Sequence, residues 1–166
     1  FKYSFITNFV GNRTFLSVNE KLAMADEKGK ILTPFEYDDV LGFENGIARV
    51  QINYKVGYVN SSGKTIIAPK FKEGYDCYGN FILVYSSSWQ SLGYQYVQKD
   101  IFGNVIDKGD VGMSGKFPII FDRDGKLIYK GQFGEKIKFT SDFSLAVSER
   151  YINSGEYDYN LIDSKG

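Results

Sequence analysis

The sequence of 166 residues contains no histidine. The commonest general base at neutral pH and the commonest metal-binding side chain are therefore both missing. Cys77 is the single cysteine, which excludes an internal disulfide and any cysteine-based zinc cluster. Formal net charge is zero, and Lys and Arg are scattered, so no electrostatic footprint for nucleic acid or an anionic membrane is visible. Purely apolar runs are too short for a bilayer span, so no membrane insertion is expected of this segment. No stretch sustains helical spacing. The chain opens on Phe1 rather than Met and reads as a processed chain or a fragment.

What the chain does contain is aromatic residues and glycine, with 13 Tyr, 14 Phe and 18 Gly against 3 Pro. Together with many Val and Ile, this predicts β-structure.

A turn of the form Asp/Asn-x-x-Gly recurs, as DEKGK at Asp26, NSSGK at Asn60, DIFGN at Asp100, DRDGK at Asp122 and DSKG at Asp163, at intervals of 34, 40, 22 and 41 residues. In each, Asp or Asn can cap its own backbone while Gly takes the left-handed position that L-residues resist. A single such turn says little, but recurrence with similar flanks indicates a repeat. A shift of 34 residues brings Tyr37 onto Phe71 and Val50 onto Val84. A third copy from Lys126 places Phe133 at the Tyr37 position and Phe139 at the Phe43 position, with Val147 equivalent to Val50 after one inserted residue. Strands of about four to six residues, such as GIARVQIN and KVGYVN, fill the intervals. A unit of this size cannot bury its apolar face alone and must stack on a neighbour.

The expected organisation is one β-repeat domain over residues 1–166. It consists of a half unit at 1–18, units at about 19–50, 51–84, 85–121 (degenerate) and 122–150, and a half unit at 151–166. Halves at the two ends could complete one unit between them, as in ring-closed repeats. The expectation is all-β: a repeat array of three-stranded units, closed into a small propeller or ring, with an open β-solenoid given almost equal weight.

The stretches GKILTPFEYDDVLGFENGIARV and KVGYVNSSGKTIIAPKF resemble the bacterial WG-repeat family. The matching residues are Gly29, Lys30, Pro34, Tyr37, Asp38, Val40, Phe43, Gly46 and the run Ile47, Ala48, Arg49, Val50. The resemblance is strong over 22–84, moderate over 117–165 and poor over 85–116. The Trp-Gly pair itself reads Leu22-Ala23, Val56-Gly57, Tyr96-Val97, Pro118-Ile119 and Tyr159-Asn160. The resemblance implies an interaction module and brings no catalytic residues.

Of the candidate sites, Glu36, Asp38 and Asp39 could form a carboxylate cluster acting on a sugar, but acid and base must oppose each other across a cleft, so a turn role for Asp38 is expected. Asp122 and Asp124 lack the further oxygen ligands of a calcium loop. The stretch YSSSWQSLGYQY at 85–96 carries the only tryptophan, Trp89, beside Tyr85, Tyr94 and Tyr96. It reads as a long loop whose aromatic faces and hydroxyls suit a protein surface or a neutral glycan. Its bland alternative is a hairpin with Trp89 packed on its own unit. A second loop at 151–159, with Tyr151 and Tyr157, has similar character. No cofactor or metal is expected. The expected function is a non-catalytic module binding a protein or neutral glycan, with a carboxylate-dependent glycan-active enzyme as the alternative. An extracellular or cell-envelope location is slightly favoured over the cytoplasm, and oligomeric state is left open.

Overall fold

The computed structural model describes residues 3–132, 134–152, 155–163 and 165, without the side chains of 88–94 and 111–113. Among the described residues all regular structure is strand, in four antiparallel sheets. The first sheet holds β1 (Phe5–Ile6), β2 (Arg13–Val18) and β3 (Lys21–Asp26). The second holds β4 (Asp39–Glu44), β5 (Ile47–Ile52), β6 (Lys55–Asn60) and β7 (Thr65–Phe71). The third holds β8 (Glu73–Gly74), β9 (Phe81–Lys99), β10 (Val105–Asp122) and β11 (Leu127–Lys130). The fourth holds β12 (Lys136–Phe139), β13 (Ala146–Ile152) and β14 (Glu156–Ile162).

Two kinds of turn alternate along the chain. Between β2 and β3 lie Asn19 and Glu20, with φ of 50° and 63°, and between β5 and β6 lie Asn53 and Tyr54, with φ of 50° and 60°. Positive φ at both central residues marks the mirror-image two-residue turn that matches strand twist, and Asn tolerates it best among L-residues. The Asp/Asn-x-x-Gly turns follow β3, β6 and β10. Asp26 Oδ1 accepts the amides of Lys28 and Lys30, Asn60 Oδ1 those of Ser62 and Lys64, and Asp122 Oδ1 those of Asp124 and Lys126. Gly29, Gly63 and Gly125 have φ of 78°, 85° and 84°, as the turn chemistry requires.

The sheets stack in chain order. Phe15, Leu22 and Met24 of the first meet Ala48, Val50 and Val59 of the second. Val56, Tyr58 and Phe71 of the second meet Ile82, Val84 and Ile119 of the third, and Phe81, Leu83 and Ile120 of the third meet Ala146 and Ile162 of the fourth. Met24, Tyr58 and Ile120 each stand two residues before a turn Asp or Asn, and each is fully buried at such a junction. Burial of each large side chain contributes about 1.5–3 kcal/mol. The turns dock as well. A Cβ on Gly63 would lie 2.4 Å from the carbonyl oxygen of Leu32, and one on Gly125 would lie 2.5 Å from that of Ile66. Leu32 and Ile66 occupy equivalent places, two residues beyond Lys30 and Lys64, so each turn rests on the backbone of the preceding unit. Arg13 donates to the Ser61 carbonyl and Arg123 to the Asn45 carbonyl, adding polar ties between neighbours.

Among the described residues the closed ring expected from the chain's two ends is not seen, and there is no closed barrel. Among the described residues, the core clusters join first to second, second to third and third to fourth sheets, and none joins fourth to first. Residues of 1–18 pair within the first sheet, and those of 151–166 pair within the fourth. Residues 85–121 lie almost wholly on β9 and β10 and add no sheet of their own.

Tyr37 and Phe71 are both buried, as the repeat predicts, while Phe133 lies outside the described residues. Val50 and Val84 are fully buried, but Val147 is only half-buried. The residue facing Asn160 across the sheet, as Val50 faces Gly57 and Val84 faces Ile119, is Ser148. Strand side chains alternate with period two, so a slip of one residue moves Val147 to the opposite face. Ser148 is accommodated in the core by a 3.1 Å hydrogen bond with the Tyr129 hydroxyl.

Candidate interaction surface: the arm of β9 and β10

In the first two sheets a two-residue turn ends the hairpin three residues after Leu16 and Val50. The equivalent place in the third sheet is Ser87, three residues after Val84, yet the hairpin does not turn there. β9 and β10 stay paired to Lys99 and Val105, with register shifts on the way. Asn60 to Asp122 spans 62 residues, against 34 from Asp26 to Asn60, so the third unit carries 28 more. Flanking strands support only the base. β8 reaches Val84 and Tyr85, and β11 reaches residues 119–121. Beyond them the ribbon is two-stranded with both edges unpaired, a form that is only marginally stable by itself.

The tip of this arm is the Asp100 turn. Asp100 Oδ1 accepts the amides of Phe102 and Asn104, and Gly103 has φ of 87°. Hydrogen bonding, first from the Asn104 side chain and then from backbone amides, holds the Asp100 carboxyl below its ordinary range. A Cβ on Gly103 would meet nothing within 4 Å, in contrast to Gly63 and Gly125, so among the described residues this turn rests on no neighbouring backbone. It presents Ile101 and Phe102 at 91% and 82% exposure, with Val97, Val105 and Ile106 also exposed behind them. The Tyr96 hydroxyl donates to Asp107 at 2.8 Å and the Gln95 amide to Asp110 at 3.1 Å, cross-strand contacts that stiffen the ribbon.

The expected site residues fall into three groups. Trp89 and Tyr94 lie on β9 opposite Ser114 and Val111, in the long hairpin that stood as the alternative to a loop, and their side chains lie outside the described ones. Tyr96 is exposed on the arm, whereas Tyr85 is half-buried at its base, edge-on to Tyr75 with ring centres 6.0 Å apart. Tyr151 and Tyr157 lie elsewhere, as an exposed cross-strand pair of the fourth sheet with ring centres 5.4 Å apart. Ile101 and Phe102 escaped sequence reasoning because they stand inside a motif read only as a turn.

Asp38 and Cys77 are engaged structurally. Asp38 accepts from the Lys21 ammonium and the Asn53 amide, which hold its carboxyl below the usual range, Lys21 foremost. It thereby clamps the turn at Asn53 and Tyr54, beside a polar cleft of about 490 Å³. Cys77 is buried, its thiol is pushed up by burial, and it donates to the Gly79 carbonyl. Among the described residues no group of His, Cys, Asp and Glu is arranged to hold a metal ion. No helix of the described residues is long and apolar enough to cross a membrane.

The architecture is thus a stacked β-repeat with one elongated hairpin. Residues 24–55 and 57–85 match the family model of the WG containing repeat, so these two units are WG-type repeats. No curated protein and no solved structure matches it significantly.

Proposed function

We propose that this chain is a non-catalytic interaction module of a bacterial protein, and that it binds a protein partner through the β9–β10 arm. The carrying observation is the extension itself: a paired ribbon where the first two sheets have a two-residue turn, ending in exposed Ile101 and Phe102. An apolar tip held out on a ribbon has no packing role within the array and suits insertion into an apolar recess of a partner. The β9 edge supports the same reading. From Ser86 to Gln98 it carries no charged residue and no proline, the usual devices that discourage strand addition. An aliphatic and phenyl tip favours a protein over a neutral glycan as partner.

The test compares the whole chain with a variant in which residues 88–115 are deleted and the stub is closed by an Asn-Gly turn. Affinity capture followed by binding measurement should yield a partner held by the whole chain and lost by the variant, at similar melting temperature. Equal binding by both would remove the arm from the function. A glycan-hydrolysis screen that finds turnover abolished by one Asp or Glu substitution would refute the non-catalytic reading.

A further inference from the structure

The 34-residue shift relates two clefts as well as two sets of strands. The polar cleft beside Asp38 is lined by Lys21, Asp38, Gln51 and Asn53, among others. Their counterparts Lys55, Lys72, Tyr85 and Ser87, joined by Lys70 and Ser86, line a second cleft of about 140 Å³ at the junction of the second and third sheets. The framework is kept and the charge is reversed. In the first cleft the Asp38 carboxylate accepts from the Lys21 ammonium and from the Asn53 amide. In the second, Lys72 stands in place of Asp38, and Lys70 in place of Glu36. Among the described residues, three ammonium groups and no carboxylate line this cleft. None of the three lysines makes an ion pair with a described residue. Glu73, next in the chain, is engaged by the Lys116 ammonium and by the Tyr75 hydroxyl, which donates to it at 2.7 Å.

The backbone donor of the first cleft also has its counterpart. Tyr85 stands opposite Pro118, which has no N–H and whose carbonyl accepts from Gly131 on the β11 side. The backbone of Tyr85 therefore faces β8, where it pairs with Glu73. Ser87, two residues on, faces the same edge beyond the end of β8. Its amide thus stands at the cleft as the Asn53 amide stands at the first one.

We propose that this second cleft binds an acidic peptide segment, which supplies from outside the carboxylate that Asp38 supplies from within one unit earlier. A carboxylate of that segment accepts from the Lys55 ammonium and the Ser87 amide, and Lys70 and Lys72 attract its acidic neighbours. A carboxylate rather than a phosphate is argued from the first cleft, where the equivalent two donors hold a carboxylate. The lining residues lie outside 88–115, so this site does not depend on the arm's binding role.

Fluorescence anisotropy of a labelled hexaglutamate peptide, titrated with the full chain at low salt, tests this. Binding should saturate and weaken as salt rises. Lys72→Asp restores the charge arrangement of the first cleft. It should lower affinity at least about tenfold, because repulsion replaces attraction, with no loss in melting temperature. Lys55→Gln and Lys70→Gln should each weaken binding about two- to fivefold, the range of exposed ion pairs. Lys28→Asp makes the same charge change at an exposed turn elsewhere and should alter affinity less than about twofold. The chain lacking residues 88–115 should bind the peptide like the wild type. A wild type without saturable binding would overturn the proposal, as would equal weakening by Lys28→Asp and Lys72→Asp. Loss of binding on deletion of 88–115 would place the peptide on the arm instead. Displacement of the peptide by an equal concentration of inorganic phosphate would mean a phosphate site and overturn the carboxylate assignment.

Discussion

Four turn glycines share a left-handed backbone, yet only two of them lie under a neighbouring strand, and alanine at each should separate these two costs. At Gly29 and Gly103, with φ of 78° and 87°, an added Cβ meets nothing within 4 Å. Alanine there costs only the left-handed penalty of an L-residue, about 1–2 kcal/mol. At Gly63 the same methyl would lie 2.4 Å from the Leu32 oxygen, and at Gly125 it would lie 2.5 Å from the Ile66 oxygen. Those partners are backbone and cannot swing aside, so turn and strand must separate by roughly 1 Å, against ordinary contact distances of about 3.5–4.0 Å. Overpacking of this kind adds about 1–3 kcal/mol. The expected totals are about 1–2 kcal/mol for Gly29→Ala and about 2–5 kcal/mol for Gly63→Ala and Gly125→Ala, whereas Gly103→Ala strains only the arm tip and should leave global unfolding unchanged. In a chain of this size each kcal/mol lowers the melting temperature by about 2–4 °C. Urea unfolding followed by far-ultraviolet circular dichroism measures the losses, and constant slopes between variants show that the same surface is exposed. Equal losses at Gly29, Gly63 and Gly125 would refute turn-on-strand docking. No loss at any would refute the left-handed turns themselves.

Two further outcomes follow from single side chains. The Asp142 carboxyl is held at about 2, against an ordinary 3.8, by hydrogen bonds from the Thr140 hydroxyl and then from the Ser144 amide and hydroxyl. Its folded value is depressed, so its contribution is complete above the unfolded value and is lost as pH falls from about 4 toward about 2. Asp142→Asn should therefore unfold with a shallower acid dependence than the wild type over that interval, and identical acid limbs would contradict this. Tyr58→Phe keeps the buried ring but removes the 2.8 Å bond to the Tyr75 carbonyl. It should cost about 1–3 kcal/mol in urea unfolding, the cost of leaving a buried acceptor unpaired, and an unchanged midpoint would show that water reaches that carbonyl.

The turns were legible in the sequence because all their determinants are local: Asp26 or Asn60 reaches amides two and four residues on, and a glycine supplies the left-handed step. Burial of Tyr37, Phe71, Val50 and Val84 was legible from the 34-residue shift. The arm was not. The Asp100 turn has the same local chemistry as those at Asn60 and Asp122, and what distinguishes it is the lack of a Leu32- or Ile66-like backbone beneath Gly103. Because that contact is far away in sequence, a hairpin tip read as a repeat boundary. The choice of Val147 over Ser148 failed for a related reason. Apolar pattern favours valine for the core, and the Tyr129 hydroxyl that makes a buried serine acceptable lies 19 residues away. The stretch around Trp89 read as a loop because its serines, glutamines and glycine hide strand alternation, whereas β9 is held extended by pairing with β10.

The place where the arm departs has a consequence for what such a chain can carry. At a two-residue hairpin turn the entering and leaving strands stand one strand spacing apart, about 4.8 Å. An inserted ribbon that leaves and returns as a pair preserves that spacing whatever its length, and the sheets below stack as before. The turns at Asn19 and Glu20 and at Asn53 and Tyr54 are two further ports of this type, spaced by the same 34 residues. The array therefore behaves as a rack with regularly spaced sockets. Hairpins of foreign sequence grafted into the two short turns should be displayed alongside the natural arm, at intervals set by the stack rather than by the grafts.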